Sequence, residues 1–317
     1  MNKNKVVLAG AGVLGAQIAL QSAFRGKDVT IWMRSEGSIG RTKPRIEHFY
    51  KTYLAEVENL DRIKGTDSKD YPRSFVDGVE NLTDEDIQRL RKQVEDAYAG
   101  IKYELDLGKA VEDAQFIIEA VAEDVEEKRK FYHNLSQVVD DETIILSNSS
   151  TFLPSFFKDD VKHNERFLHF HFANHIWRNN TVEVMGHDGT DPEIYKRTVE
   201  LGREIGMIPL ELKKEQPGYL LNSLLVPFLD AGLELWANDI ASPEDIDRAW
   251  TIGAGAPHGP FKIMDVVGLR TVYNINANHP GADDPNSKYG KIAGKLKGYI
   301  DAGKIGMESG EGFYKYK

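Results

Sequence analysis

Three side chains near the middle of the chain are of the types that together perform acid/base chemistry on an alcohol. The segment from Ser147 to Glu183 reads S-N-S-S-T at 147–151, H-F-H-F-A-N-H at 169–175 and T-V-E-V at 181–184. Ser150 offers a hydroxyl, His171 an imidazole and Glu183 a carboxylate. Such a set can orient a substrate oxygen, take its proton and steady the resulting imidazolium. The plainer alternative for any one histidine on an apolar strand, including His169, His175 and His258, is a satisfied core residue. Ser150 could likewise serve only to cap the short helix that follows it.

These residues need a rim from which to project. Thr143–Leu146 and Phe167–Phe172 are apolar runs that read as buried strands. In an open α/β sheet, ligands bind outside the carboxyl ends of the strands. The start of the chain supplies the rest of such a site. Val6–Ala9 is a strand, and Gly10-Ala-Gly12-Val13-Leu14-Gly15 completes G-x-G-x-x-G as a helix, Val13–Phe24, begins. A second strand, Asp28–Trp32, follows, which is the context the motif requires. The first glycine permits the turn, the second lets backbone N–H groups approach a pyrophosphate, and the third lets helix pack on strand. The diphosphate of a dinucleotide is then expected at the positive end of that helix.

Where a site for the unphosphorylated cofactor has an acidic residue at the end of the second strand, this chain has Met33-Arg34-Ser35. No carboxylate there repels a 2′-phosphate. Arg34 can pair with one through its planar fork and Ser35 can add a hydrogen bond, so within NAD(P)(H) the sequence favours NADP(H). The alternative has Arg34 stacked on adenine or in solvent, with Glu36 supplying the acid. Arg41, Lys43 and Arg45 extend a basic patch into the polar stretch Pro44–Gly100, where helices are expected near Arg45–Leu60 and Thr83–Ala99. Its charges are either solvated helix faces or contacts to phosphates of a cofactor or substrate carrier.

The βα alternation resumes with a strand over Phe116–Glu123 and a helix over Glu126–Val139. Glu123 and Lys128 are placed there to contact the nicotinamide ribose, the bland alternative being an ordinary acidic helix start. Strands at Thr181–Val184 and Ile208–Leu212 complete the sheet. Pro217-Gly218 then breaks the chain, and Tyr219–Ala237 reads as a helix whose wide apolar stripe suits a buried central helix or a subunit interface. Helices starting at Ser242, following the Ala254–Pro260 loop and spanning Lys291–Ala302 make the last third all helical. The expected architecture is α/β, a Rossmann-type doubly wound sheet over 1–213, followed by an all-helical domain for substrate and dimerisation over 214–317.

Composition narrows the partners. The chain has 317 residues, 41% hydrophobic, and a net charge of −10, which opposes nucleic acid or an anionic membrane. No cysteine is present, so thiol nucleophiles, disulfides and thiolate metal sites are excluded. A reducing cytoplasm suits such a chain, although it is compatible with any compartment. No uncharged apolar run reaches the roughly 18 residues of a membrane span. Lys3 and Lys5 before Val6–Leu20 mimic a secretory signal, but the glycines and the second strand beyond argue against one.

Several motifs at matching spacings resemble those of the L-3-hydroxyacyl-CoA dehydrogenase family. S-N-S-S at 147–150 is similar to its S-N-T-S, H-F-A-N at 171–174 to its H-F-F-N, and P-G-Y-L-L-N at 217–222 to its P-G-F-x-x-N. D-I-D-R-A from Asp245, G-A-G-A-P-H-G-P-F from Gly253, G-K-I-G from Gly303 and S-G-E-G-F-Y from Ser309 are similar to its helical-domain and tail signatures. The family pairs its catalytic histidine with a glutamate twelve residues on, which selects His171 over His169 and pairs it with Glu183. The resemblance implies a 3-hydroxyacyl thioester bound between the domains, with His171 as acid/base, Glu183 orienting it, and Ser150 and Asn222 polarising the oxygen. Asn174 is expected at the substrate and Val13, Leu14 and Asn148 at the cofactor; no metal is needed, because the proton and the hydride each have an acceptor, and the apolar helix Tyr219–Ala237 suggests a homodimer. Alternatives are the same chemistry on a 3-hydroxy acid without CoA, of sugar-acid or carnitine type, or a nucleotide binder without turnover. Two departures stand out: His175 replaces the family's proline after H-F-x-N, and Met33 replaces its acidic residue.

Overall fold

The computed structural model describes residues 2–316. Met1 and Lys317, which end the two expected domains, and the side chains of Asn2 and of Lys3 in the signal-like start lie outside the described residues. The strands are β1 (Asn2–Ala9), β2 (Asp28–Trp32), β3 (Lys102–Glu104), β4 (Ala114–Glu119), β5 (Ile144–Ser147), β6 (Phe167–Phe172), β7 (Thr181–Met185) and β8 (Ile208–Leu212). They form one sheet in the order β3-β2-β1-β4-β5-β6-β7-β8. β1 pairs parallel with both β2 and β4, so the strand order reverses there and opens a crevice at their carboxyl ends. β6 and β7 pair antiparallel, and β7 and β8 parallel.

The inner strands are apolar on both faces because helices cover both. Val6, Leu8, Leu168 and Phe170 pack on one side, and Val7, Ala9, Ile117 and Phe167 on the other. Burying a Phe170-sized side chain stabilises by about 1.5–3 kcal/mol. By the same alternation His169 and His171 share the face of Phe167.

The helices of this first part are α1 (Val13–Phe24), α2 (Glu36–Ile63), α3 (Asp84–Gly100), α4 (Leu107–Val111), α5 (Val125–Ser136), α6 (Pro154–Phe157) and α7 (Pro192–Glu204). β3, α4 and α7 were not expected from the sequence, and side-chain hydrogen bonds move the bounds of two further elements near the site. α2 begins at Glu36 rather than near Arg45, because the Ser35 side chain accepts from Ser38 N–H and caps it, and Pro44 is accommodated inside the helix. β4 ends at Glu119, four residues before Glu123, where the Glu119 carboxylate accepts from Val121 N–H at 2.9 Å and turns the chain.

The chain divides into two compact units, Met1–Leu220 and Leu221–Lys317. The second holds α8 (Leu221–Ala237), α9 (Pro243–Gly253), α10 (Pro260–Val267), α11 (Leu269–Ala277) and α12 (Lys288–Asp301). α8 starts after Tyr219, which has a left-handed φ of +56° and cannot continue a helix. Leu233, Trp236, Phe261, Met264 and Phe313 form this unit's core. Buried Asp265 accepts from Phe313 N–H, Tyr314 N–H and the Tyr316 hydroxyl, which fastens the tail to α10. Leu224, Val226 and Leu235 of α8 stay exposed. No helix among the described residues is long and apolar enough to cross a membrane.

Candidate active site

His171 sits next to the carboxyl end of β6, and the sheet register places Glu183 directly opposite it on β7. The spacing of twelve is therefore the register of an antiparallel pair whose connecting loop spans 173–180. Glu183 Oε2 lies 2.9 Å from His171 Nδ1, and Ser150 Oγ lies 3.1 Å from His171 Nε2. A carboxylate only accepts, so Nδ1 carries the proton and Nε2 is left with a lone pair toward the serine. The other oxygen of Glu183 accepts from Leu220 N–H at 2.8 Å. His171 is 6% and Glu183 3% exposed, whereas Ser150 is open to solvent. The three sequence candidates thus meet, with the imidazole aimed at a hydroxyl on the surface. Ser150 does not cap α6, whose N-cap is Leu153.

His169 is fully buried, and burial pushes its imidazole well below its ordinary pKa, with positive charge on Lys128 adding to the effect. It stays neutral inside the protein and has no route to a substrate. Tyr219, which the sequence left in a helix, stacks on His171 with ring centroids 4.2 Å apart and planes 12° apart. The sign of its importance in the sequence is its place in P-G-Y, where the family motif has phenylalanine.

The loop carrying Ser150 is held from below by a buried polar network. Glu119 accepts from Lys128 at 2.7 Å, the Tyr132 hydroxyl at 2.9 Å and the Ser147 hydroxyl at 2.7 Å. Lys128 also lies 3.2 Å from Glu123. Glu123 in turn accepts from the Ser149 hydroxyl at 2.6 Å and from the N–H groups of Ser150 and Thr151 at 3.1 and 3.0 Å. Burial alone would raise the pKa of Glu123, but the Ser149 hydroxyl, Lys128 and Thr151 N–H outweigh it and hold the carboxyl below its usual range. Lys128 is 1% exposed, so its ammonium serves this network from inside. Asn148 ties β5 to β6 by accepting from Phe172 N–H at 3.1 Å. Asn174 is exposed in the loop after β6, and Asn222 lies in the first turn of α8 in the second unit.

The glycine turn fits a dinucleotide. Gly10 has φ +93°, and a Cβ there would lie 2.8 Å from Ala120 O. A Cβ on Gly15 would lie 2.6 Å from Gly10 O, while one on Gly12 would meet nothing within 4 Å and would fill the open space a pyrophosphate needs. Val13 and Leu14 follow as the first residues of α1, whose first turn has no side-chain cap and no acidic residue, leaving its N–H groups to an anion. Gly10, Gly12, Arg34, Arg41 and Arg45 line one cleft of about 340 Å³. Arg34 is not free in it, because its guanidinium pairs with Glu127 of α5. Ser35 is occupied as the cap of α2. Among the described residues no group of three or more His, Asp or Glu side chains is placed to hold a metal ion.

Two family models now account for nearly the whole chain: the NAD-binding domain of 3-hydroxyacyl-CoA dehydrogenase over residues 5–216 and its C-terminal domain over 218–316. The chain belongs to the 3-hydroxyacyl-CoA dehydrogenase family. A "probable 3-hydroxyacyl-CoA dehydrogenase" of Caenorhabditis elegans is 30% identical over 315 residues, covering 99% of this chain and 93% of the relative. Human mitochondrial hydroxyacyl-coenzyme A dehydrogenase is 29% identical over 314 residues, covering 98% and 91%. A solved diketoreductase, described as acting on dicarbonyl compounds, is 43% identical, covers 99% of both chains and superposes with a TM-score of 0.83. This member of the 3-hydroxyacyl-CoA dehydrogenase family is an oxidoreductase with a nicotinamide-dinucleotide domain.

Proposed function

We propose that the protein transfers a hydride between the 3-hydroxyl carbon of a 3-hydroxyacyl-CoA and NAD(P), with His171 as acid/base. The observation that carries this reading is the Ser150–His171–Glu183 chain, 3.1 and 2.9 Å long, at the carboxyl end of the sheet that holds the glycine turn. A nicotinamide dinucleotide held by Gly10 to Gly15 and the start of α1 would supply the hydride chemistry. Nε2 of His171 takes the proton of the substrate hydroxyl, and in reverse the imidazolium returns it to the carbonyl oxygen. Ser150 Oγ hydrogen-bonds the same oxygen and Glu183 steadies the charged ring. Asn222 keeps the role of the family motif, a further hydrogen bond to the reacting oxygen, and Asn174 that of a substrate contact. Gly10 to Gly15 and the start of α1 take the pyrophosphate. The exposed apolar side chains of α8 suit a homodimer.

A second reading, the same chemistry on a free 3-oxo compound without CoA, is favoured by the 43% identity to the diketoreductase. The loop beside the site supports it as well. His175 stands at φ +57° and its N–H donates to Gln17 at 2.9 Å, neither of which the family's proline could do. Following oxidation of NADH and, separately, of NADPH at 340 nm with acetoacetyl-CoA and with 2,4-pentanedione decides between them. Turnover of the thioester alone supports the first reading, turnover of the diketone alone the second, and turnover of neither contradicts both.

A further inference from the structure

Glu183 and Ser150 hold the His171 ring only at its two nitrogens, so neither contact prevents the ring from tilting about the line between them. Tyr219 supplies what is missing. Its ring covers one face of the imidazole at 4.2 Å and 12°. It is 1% exposed and sits at φ +56°, a backbone region that bulky residues rarely adopt and that persists only where surroundings enforce it.

Hydrogen bonds of the Tyr219 hydroxyl supply that enforcement. The Tyr219 hydroxyl donates to Ser149 O at 2.5 Å and lies 2.7 Å from His169 Nδ1. Its one proton goes to the carbonyl, so His169 must donate Nδ1–H to the phenolic oxygen. That tautomer leaves His169 Nε2 as a bare lone pair, and this atom is indeed buried without a hydrogen-bond partner among the described residues. The neutral state that burial enforces on His169 keeps this arrangement across the working pH range. Tyr219 therefore joins the plane of His171 to the backbone immediately before Ser150.

We propose that Tyr219, locked by His169, is the positioning residue that keeps His171 Nε2 aimed at the Ser150 hydroxyl. The inference rests on the reading of His171 as the acid/base. A phenylalanine at 219 could stack but could not be locked, which is the difference between this chain and the family's P-G-F motif.

The test compares Tyr219→Phe, His169→Leu and the double variant in NADH-linked turnover of whichever substrate the parent accepts. Tyr219→Phe lowers kcat by roughly ten- to a hundredfold, the scale of a misaligned catalytic group, with KM for NADH and substrate within about twofold. His169→Leu does the same, and the double variant is no worse than either single one, because both remove one coupling. Unchanged kcat in Tyr219→Phe, or losses that multiply in the double variant, overturn the proposal. The stacking is read without turnover from the His171 Hε1 proton resonance, assigned by its absence in His171→Gln. It lies upfield in the parent and returns downfield in Tyr219→Leu; an unshifted parent resonance overturns the proposal even if the variants do not fold. Full turnover in His171→Gln would instead remove the acid/base reading, while the upfield Hε1 resonance of the parent would still report the stacking.

Discussion

Glu183 faces His171 directly across the antiparallel β6–β7 pair, and its two oxygens accept from the imidazole at 2.9 Å and from Leu220 N–H at 2.8 Å. The carboxylate thus does more than lend charge: it dictates which ring nitrogen carries the proton. In Glu183→Gln the amide can turn its NH₂ toward Nδ1 and force the proton onto Nε2, which removes the base from the side facing Ser150. Turnover is expected to fall by about 10²–10⁴-fold, while NADH affinity, followed by its fluorescence, stays within about twofold. Retained turnover would show that the tautomer does not matter.

Gly12 and Gly15 separate cofactor binding from folding. A Cβ at 15 would meet Gly10 O at 2.6 Å in backbone that cannot give way, so Gly15→Ala is expected to cost about 1–3 kcal/mol and lower Tm. A Cβ at 12 meets nothing within 4 Å, so Gly12→Ala should keep Tm within a few degrees and Gly12→Val, whose methyls reach into the pyrophosphate space, should weaken NADH binding strongly. Thermal unfolding and NADH titration of these variants check this. Normal NADH binding in Gly12→Val would move the pyrophosphate elsewhere.

The expected preference for NADPH is tested at a pair the sequence did not reveal. Arg34 is paired with Glu127, but both are solvent-exposed, and such pairs contribute only about 0–1 kcal/mol. Arg34 can therefore leave for a 2′-phosphate, and the carboxylate it leaves behind would repel that phosphate. Glu127→Gln is expected to tighten NADPH binding several-fold with NADH within about twofold, and Arg34→Ala to weaken NADPH selectively. Dissociation constants that move equally for both cofactors would dismiss the 2′-phosphate argument.

His169 makes stability pH-dependent. Its folded pKa lies well below its ordinary 6.5, so below that pH the unfolded chain binds a proton that the folded chain refuses. Stability contributed by this group is complete above about pH 6.5 and declines as pH falls, by up to about 1.36 kcal/mol per pH unit. Urea unfolding at pH 7.5 and 5.5 should show a smaller loss in His169→Leu than in the parent. Equal losses would mean that His169 titrates freely.

The glycine turn, α1 and β2 were legible because local chemistry decides them: three glycines, a helix start and a short apolar run. The His171–Glu183 pairing was legible as a spacing but not as a register, since strand periodicity does not report direction and β7 runs against β6. Most of α2 was legible as the helix expected near Arg45–Leu60, with Ile46, Phe49 and Tyr53 on its buried face, but its first turns, which Ser35 caps ahead of Pro44, were not. Lys128 read as a contact to the nicotinamide ribose at a helix start. Only tertiary structure reveals that Glu119, nine residues earlier in sequence, draws it inward. Tyr219 escaped for the same reason, because its partners His169, Ser149 and His171 are distant in sequence.

His171→Gln, assayed for NADH-linked turnover and for NADH binding in the same preparation, tests the acid/base role of His171 most directly. Loss of about 10²–10⁴-fold in kcat with unchanged NADH affinity is the expected result. Turnover near that of the parent would contradict it.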